Sequence, residues 1–287
     1  MNNTRKWLLY SLFIIGVTTF FIYYLFPSDK IKNYITVQVN KTYPDITIAV
    51  DQVTPAFPPG LRLYNVNFYH THDPLFKMEQ IKISPALLSL FRSKINFSFK
   101  GNAYTGMFEG KGEFTKNTPE LIIDGTLSGI RIKELSAIKN VIGRTMSGVL
   151  DGNFTYRNKK ESGNNLKAQF IVSNGQLELV TPLLQLESLS FKKIIAELVM
   201  KDMNLNIKKC IINGDQMDGS VSGSVTLKNP PGQSYLKLSG RIKPHPVFFE
   251  KLGNDFPENL LPEKIFGKNG VHIRIYGTLD TPRLFLN

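Results

Sequence analysis

From Lys94 onward the chain consists largely of short runs in which apolar and polar residues alternate. The runs recur at intervals of about ten to twenty residues, and Gly, Asn, Pro or Asp bounds most of them. A period of two is typical of β-strands with one buried face, and this spacing indicates antiparallel pairing. We therefore expect a mainly β fold built on an antiparallel sheet.

Several runs carry a glycine in phase with their apolar residues. A glycine inside a strand costs about 0.5–1 kcal/mol, and it marks a bend, a bulge or a close backbone approach. One interpretation is a set of bulges in an ordinary sandwich. The other is a strongly curved, taco-like sheet around an apolar groove, whose candidate face is Phe97, Phe99, Gly101, Ile123, Gly125, Leu127, Leu236, Leu238, Gly240, Ile273, Ile275, Gly277 and Leu279.

The amino-terminal segment is strongly apolar. Trp7 to Phe26 contains no charged residue, and a helix of this length spans about 30 Å, the thickness of the hydrocarbon core of a bilayer. Trp7, Tyr10, Tyr23 and Tyr24 are placed as interfacial membrane anchors. No small-x-small cleavage site follows, so the sequence predicts an uncleaved transmembrane helix.

This segment suggests a division of the chain. We expect a cytoplasmic tail at 1–6, a transmembrane helix at 7–26, a juxtamembrane helix at 27–43 and a periplasmic β-rich domain at 44–287. Lys and Arg are almost balanced on the two sides of the span, but the short tail favours an exported body.

The composition limits partners and chemistry. The net charge of +12 suggests attraction to anionic lipid or nucleic acid, or simply solvated Lys-rich strand faces. An exported body would exclude cytosolic nucleic acid. Cys210 is the only cysteine, which excludes an intramolecular disulfide and a cysteine-based zinc site.

Motifs of catalysis are not recognisable. His70 and His72 form a close pair near Asp73, but no third metal ligand is placed by its spacing. No nucleophile elbow, zincin, P-loop or dinucleotide fingerprint occurs in a strand–helix context. We therefore predict a protein that is not an enzyme, with no catalytic residue, metal or cofactor.

Short helices are predicted at three places within the β-rich part. Ser84-Pro85 opens a one-turn candidate, ALLSLF, that ends at Phe91, and Lys133 to Ile142 carries a helical apolar stripe. Val247 to Phe266 contains two further short candidates, interrupted by prolines.

The order of several weak motifs resembles a known family. The motifs are Pro58-Pro59-Gly60-Leu61, the stretch from Ser84 to Leu90, IDGTLSGIRIKEL, GSVSGSVTLKNP and the closing IRIYGTLDTPRLFL. Together they resemble the type II secretion system protein N family and, more distantly, AsmA-like inner-membrane proteins. The resemblance implies a single-pass inner-membrane protein with a periplasmic β-rich body and no catalytic residues.

Two functions follow from the resemblance. The favoured expectation is an accessory component of a type II secretion system, whose exposed strand edges pair with other secretion subunits. The alternative is an AsmA-like lipid-handling protein, whose groove shields the acyl chains of phospholipid. Apolar alternation alone does not separate the two.

Overall fold

The computed structural model describes residues 3–42, 46–70, 73–116, 118, 120–135, 138, 144–159, 163–183, 186–248 and 270–286. In this part of the chain, helices α1 (Asn3–Tyr24) and α2 (Ser28–Thr42) precede the strands. The strands are β1 (Ile46–Ala49), β2 (Gln52–Ala56), β3 (Gly60–His70), β4 (Asp73–Pro85), β5 (Lys94–Ala103), β6 (Gly106–Thr115), β7 (Leu121–Arg131), β8 (Val149–Lys159), β9 (Gly163–Leu183), β10 (Leu186–Lys201), β11 (Asn204–Gly214), β12 (Met217–Thr226), β13 (Tyr235–Pro244), β14 (Val271–Thr278) and β15 (Pro282–Leu286).

All fifteen strands belong to one open antiparallel sheet. From β3 to β15 each strand pairs with the next strand along the chain, whereas β1 and β2 lie end to end along the free side of β3. The prediction of a mainly β fold with an antiparallel sheet and a few short helices is confirmed.

The connections between strands alternate between two ends of the sheet, because consecutive strands are antiparallel. We name these ends after the two ends of β3. The turns β2–β3, β4–β5 and β6–β7 lie at the Gly60 end, and the turns β3–β4 and β5–β6 lie at the His70 end.

Helix α2 covers one edge of the sheet. Ile31, Ile35 and Val39 of α2 pack against a core that includes Val53 and Val66, whose exposed fractions are 0% and 1%. The Ser28 hydroxyl donates to the Val53 carbonyl, the Lys32 ammonium donates to the Asp51 carbonyl at 3.0 Å, and the Ile48 amide donates to Asn40 Oδ1 at 3.2 Å. The helix therefore runs antiparallel to β1 and β2, with its amino terminus toward the Gly60 end.

Helix α1 does not match the transmembrane helix predicted at 7–26. Within the described residues, no helix is long and apolar enough to cross a membrane. The helix begins with the polar residues Asn3 to Lys6 and ends at Tyr24, and Phe26 packs against the core instead of extending the apolar helix. The predicted anchors Trp7, Tyr10, Tyr23 and Tyr24 all lie exposed on α1.

Of the three regions predicted to form short helices, only the first lies entirely within the described residues. The first is a 3₁₀ turn at Leu87–Phe91, and Pro85 is the last residue of β4 instead of the first residue of a helix. Most of 133–142 and of 247–266 lies outside the described residues.

Candidate functional site

The strand register assembles one continuous apolar face. Neighbouring residues in a ladder point to the same side of a sheet, so pairing partners can be followed from strand to strand. One such line, the central row, crosses every strand from β3 to β15. Its members are Leu61, Ile83, Phe99, Gly110, Gly125, Phe154, Ala168, Leu198, Ile207, Gly223, Leu238, Ile275 and Leu284.

Two further rows flank the central row. The His70-side row contains Leu63, Ile81, Gly101, Phe108, Leu127, Gly152, Phe170, Ala196, Cys210, Val221, Gly240, Ile273 and Leu286. The Gly60-side row contains Pro85, Phe97, Gly112, Ile123, Tyr156, Leu166, Met200, Leu205, Val225, Leu236, Gly277 and Pro282. With strands about 4.8 Å apart, the rows extend about 60 Å along the sheet.

The predicted groove residues fall on these rows, with one exception. Leu279 follows the end of β14, and its amide donates to the Ser234 carbonyl at 3.0 Å. The face predicted from the sequence contains strand residues of β5, β7, β13 and β14 only, and it omits the members on the other strands, among them Phe108 of β6 and Phe170, Leu198 and Cys210 of β9 to β11. Strands β9 to β11 lack an in-phase glycine on these rows, although the alternation in LKAQFIV indicates the apolar side of β9.

In the first part of the sheet, phenylalanine rings fill the space that the glycines leave. A Cβ atom built on the glycine would lie 2.1–2.6 Å from a ring atom of the opposing phenylalanine. Such cross-strand pairing lets an aromatic ring cover a glycine backbone. The six pairs are Gly101 with Phe108, Gly110 with Phe99, Gly112 with Phe97, Gly125 with Phe154, Gly152 with Phe170, and Gly175 with Phe191.

The glycines of β12 to β14 have different neighbours. A Cβ atom at Gly223, Gly240 or Gly277 would have no aromatic ring among its nearest neighbours and would meet a backbone carbonyl oxygen at 2.3, 2.0 and 2.6 Å respectively. Gly277 also has φ of +104°, a conformation that side-chain-bearing residues rarely adopt. In this part of the sheet glycine permits close approach of backbone to backbone.

Most side chains of the three rows are half-buried. Full burial is reached at a few positions only, including Phe108, Val225, Leu236 and Ile273. The half-buried Cys210 lies on the same face, and burial raises the pKa of its thiol. The face thus remains partly accessible over much of its length.

The opposite face is polar, with charges paired between strands. Lys100 Nζ lies 2.9 Å from Glu109 Oε2, and the Thr155 hydroxyl donates to Asp124. These residues line an open hollow of about 750 Å³ together with Lys82 and Lys111. Ion pairs of this kind contribute little stability on a solvated face, and they keep it soluble.

Metal-binding geometry is not seen in the described part of the chain. No group of three or more His, Cys, Asp or Glu side chains there could hold a metal ion. His70 ends β3, and its predicted companion His72 lies outside the described residues.

The fold and its apolar face define a large open antiparallel sheet with one water-facing side. No protein-family model, curated protein or solved structure matches this chain. The resemblance to the type II secretion system protein N family therefore stays a prediction from the sequence.

Proposed function

We propose that this protein is a non-enzymatic, membrane-attached protein whose apolar sheet face shields the acyl chains of phospholipid. The observation that carries the proposal is the set of three mostly half-buried apolar rows that cross the sheet from β4 to β14. Binding sites for apolar ligands are concave and lined mainly by aliphatic and aromatic side chains. A curved, groove-like sheet with these rows inside would give an acyl chain such a surface.

Membrane attachment is assigned to α1. Leu8, Phe13, Ile14, Ile15 and Phe20 of this helix are all exposed, and they lie on several sides of it. Exposed apolar side chains on several sides of a helix are stabilised by an apolar environment, such as the headgroup–acyl boundary of a bilayer. The net charge of +12 adds attraction to anionic lipid. We place the protein at the cell inner membrane, with the sheet in the periplasm.

The periplasmic location predicts a simple reporter result. Alkaline phosphatase fused after Asn287 is expected to be active, because the enzyme folds only outside the cytoplasm. A β-galactosidase fusion at the same position is the control and should be inactive. The reverse pattern, active β-galactosidase with inactive phosphatase, would contradict the location.

A second function, as an accessory component of a type II secretion system, is favoured by the outermost strand. β15 is the last strand in the sheet order, and Leu284, Phe285 and Leu286 on it are exposed. An exposed strand edge is a template for pairing with a strand of another protein. In this role the partner would be a secretion subunit.

Lipid analysis tests the first function against the second. Mass spectrometry of the detergent-extracted full chain is expected to find phospholipid in stoichiometric amount. Leu238→Lys, on the central row, should reduce this amount because it places a charge on the apolar face. Ser239→Lys, the next residue and exposed on the polar face, is the matched control and should bind lipid normally.

The single cysteine gives a second readout in the same preparation. Bound acyl chains should protect Cys210 from alkylation, so delipidated protein is expected to react faster. Lipid-free protein, or equal lipid in both lysine variants, would overturn the proposal. Absence of lipid combined with a crosslink from β15 to a secretion subunit would support the accessory role.

A further inference from the structure

A turn at the Gly60 end of the sheet presents large apolar side chains to solvent. In the 3₁₀ turn Leu87–Phe91, Leu88 is 79% exposed and Phe91 is 91% exposed, and Leu87 and Leu90 are exposed as well. Phe57, in the β2–β3 turn, is 79% exposed. The two turns are neighbours, since Pro58 lines a hollow together with Pro85 and Ala86. We call Phe57, Leu87, Leu88, Leu90 and Phe91 the docking patch.

Hydrogen bonds fix the 3₁₀ turn that carries most of the docking patch. Ser89, at its centre, is 5% exposed. Its hydroxyl donates to the Ala86 carbonyl at 2.6 Å and accepts from the Asn96 amide at 3.0 Å. The Arg92 amide donates to the Ser89 carbonyl at 2.9 Å. The buried Ser89 side chain thus fixes the turn, while Leu87, Leu88, Leu90 and Phe91 remain exposed to solvent. A cluster of exposed apolar side chains on an ordered turn is typical of an interaction surface.

Cations surround the docking patch. Lys82 Nζ donates to the Phe57 carbonyl at 2.7 Å, and Lys116 Nζ donates to the Leu90 carbonyl at 2.7 Å. Arg92 directly follows Phe91, and its side chain makes no ion pair within the described residues. Apolar side chains flanked by Lys and Arg are complementary to a bilayer of anionic lipid, which takes the first into its acyl region and attracts the second at its headgroups.

The position of α1 agrees with the same surface. Ser28, the first residue of α2, is bonded to Val53 of β2, and β2 continues through Ala56 to Phe57 at the Gly60 end. Because α2 runs antiparallel to β1 and β2, its amino terminus points toward the Gly60 end. Helix α1 is separated from α2 only by residues 25–27, so it joins the body on the side of the docking patch.

We propose that the docking patch inserts into an anionic lipid bilayer, the one to which α1 attaches the protein. This inference rests on the membrane attachment proposed above, and it adds a second contact that fixes the orientation of the sheet. The Gly60 end lies on the bilayer, and the His70 end points away from it. In the strands next to the patch, the Gly60-side row is then the nearest of the three rows to the lipid headgroups, and the His70-side row is the farthest.

Site-specific fluorescence tests the contact in the full chain. In a Cys210→Ser background, Phe91→Cys is labelled with the polarity-sensitive dye NBD and reconstituted into vesicles of phosphatidylglycerol and phosphatidylcholine. The emission is expected to shift to shorter wavelength and to be quenched by spin-labelled acyl chains. Met107→Cys is the matched control, because Met107 is also exposed but lies near the β5–β6 turn at the His70 end. Its label should stay in water.

The lipid class gives a second criterion. Vesicles of phosphatidylcholine alone should give a smaller shift at position 91, and Arg92→Glu should reduce the difference between the two vesicle types. Flotation with the vesicles reports on α1 separately. Protein that floats while the label at position 91 is as water-accessible as the label at 107 would overturn the inference and indicate a protein partner for the patch. Protein that does not float would overturn the proposed attachment itself.

Discussion

Gly112→Ala is expected to destabilise the sheet by about 1–3 kcal/mol, the usual cost of overpacking a filled site. The three atoms nearest to an added Cβ at Gly112 all belong to the ring of Phe97, the closest at 2.1 Å. The ring must therefore leave its place over the Gly112 backbone. Urea unfolding of the full chain in detergent, followed by far-UV circular dichroism, measures the effect. Fluorescence is unsuitable because Trp7, the single tryptophan, lies in α1 and not in the sheet.

Two further variants isolate the cause of this loss. Gly219→Ala is the matched control, because an added Cβ there lies 3.7 Å or more from its neighbours. It should leave stability unchanged or raise it by about 0.4–1 kcal/mol through the unfolded state. In a Phe97→Leu background, Gly112→Ala should cost clearly less than in the wild type. An equal cost in both backgrounds would show that the ring does not cause the loss.

Val53→Asp should destabilise the protein by about 4–5 kcal/mol, because it buries a charge without a partner. Val53 is fully buried where α2 packs on β2, and its carbonyl accepts the Ser28 hydroxyl. The same unfolding measurement applies. Val37→Asp, at an exposed position of α2, is the control and is expected to change stability by no more than about 0.5 kcal/mol. Comparable losses in the two variants would contradict the assignment of the core.

The faces of individual strands could be predicted from the sequence, because side-chain direction alternates locally. This is why the alternation predicts Phe97, Phe99 and Gly101 on one side of a strand, and in β5 all three lie on the less exposed side. The pairing of a particular glycine with a particular phenylalanine could not be predicted. Gly112 faces Phe97 because of the register between β5 and β6, which depends on contacts of the whole sheet and not on either strand alone.

A β-bulge explains a second limit of sequence reasoning. Ile207 and Cys210 are three residues apart, yet both lie on the apolar face, because the register between β10 and β11 shifts between Glu197 and Leu198. An extra residue in one strand reverses the alternation beyond it, and no residue type marks this position reliably.

The end of the apolar amino-terminal segment is a third limit. Hydropathy predicts Phe26 as part of a transmembrane helix, whereas in the structure Phe26 packs against the core.

The pairing order has a consequence for how such a chain is made and how it can change in length. Each strand from β4 to β14 lies between its predecessor and its successor in the sequence. During folding, each new strand therefore needs to pair only with the strand that precedes it in the sequence. Repeat proteins, whose units contact only their nearest neighbours, share this property. Insertion or deletion of two consecutive strands would leave every other strand with the same direction and with the same side chains on the apolar face. A protein of this design can thus acquire a longer or shorter apolar surface during evolution without the invention of a new fold.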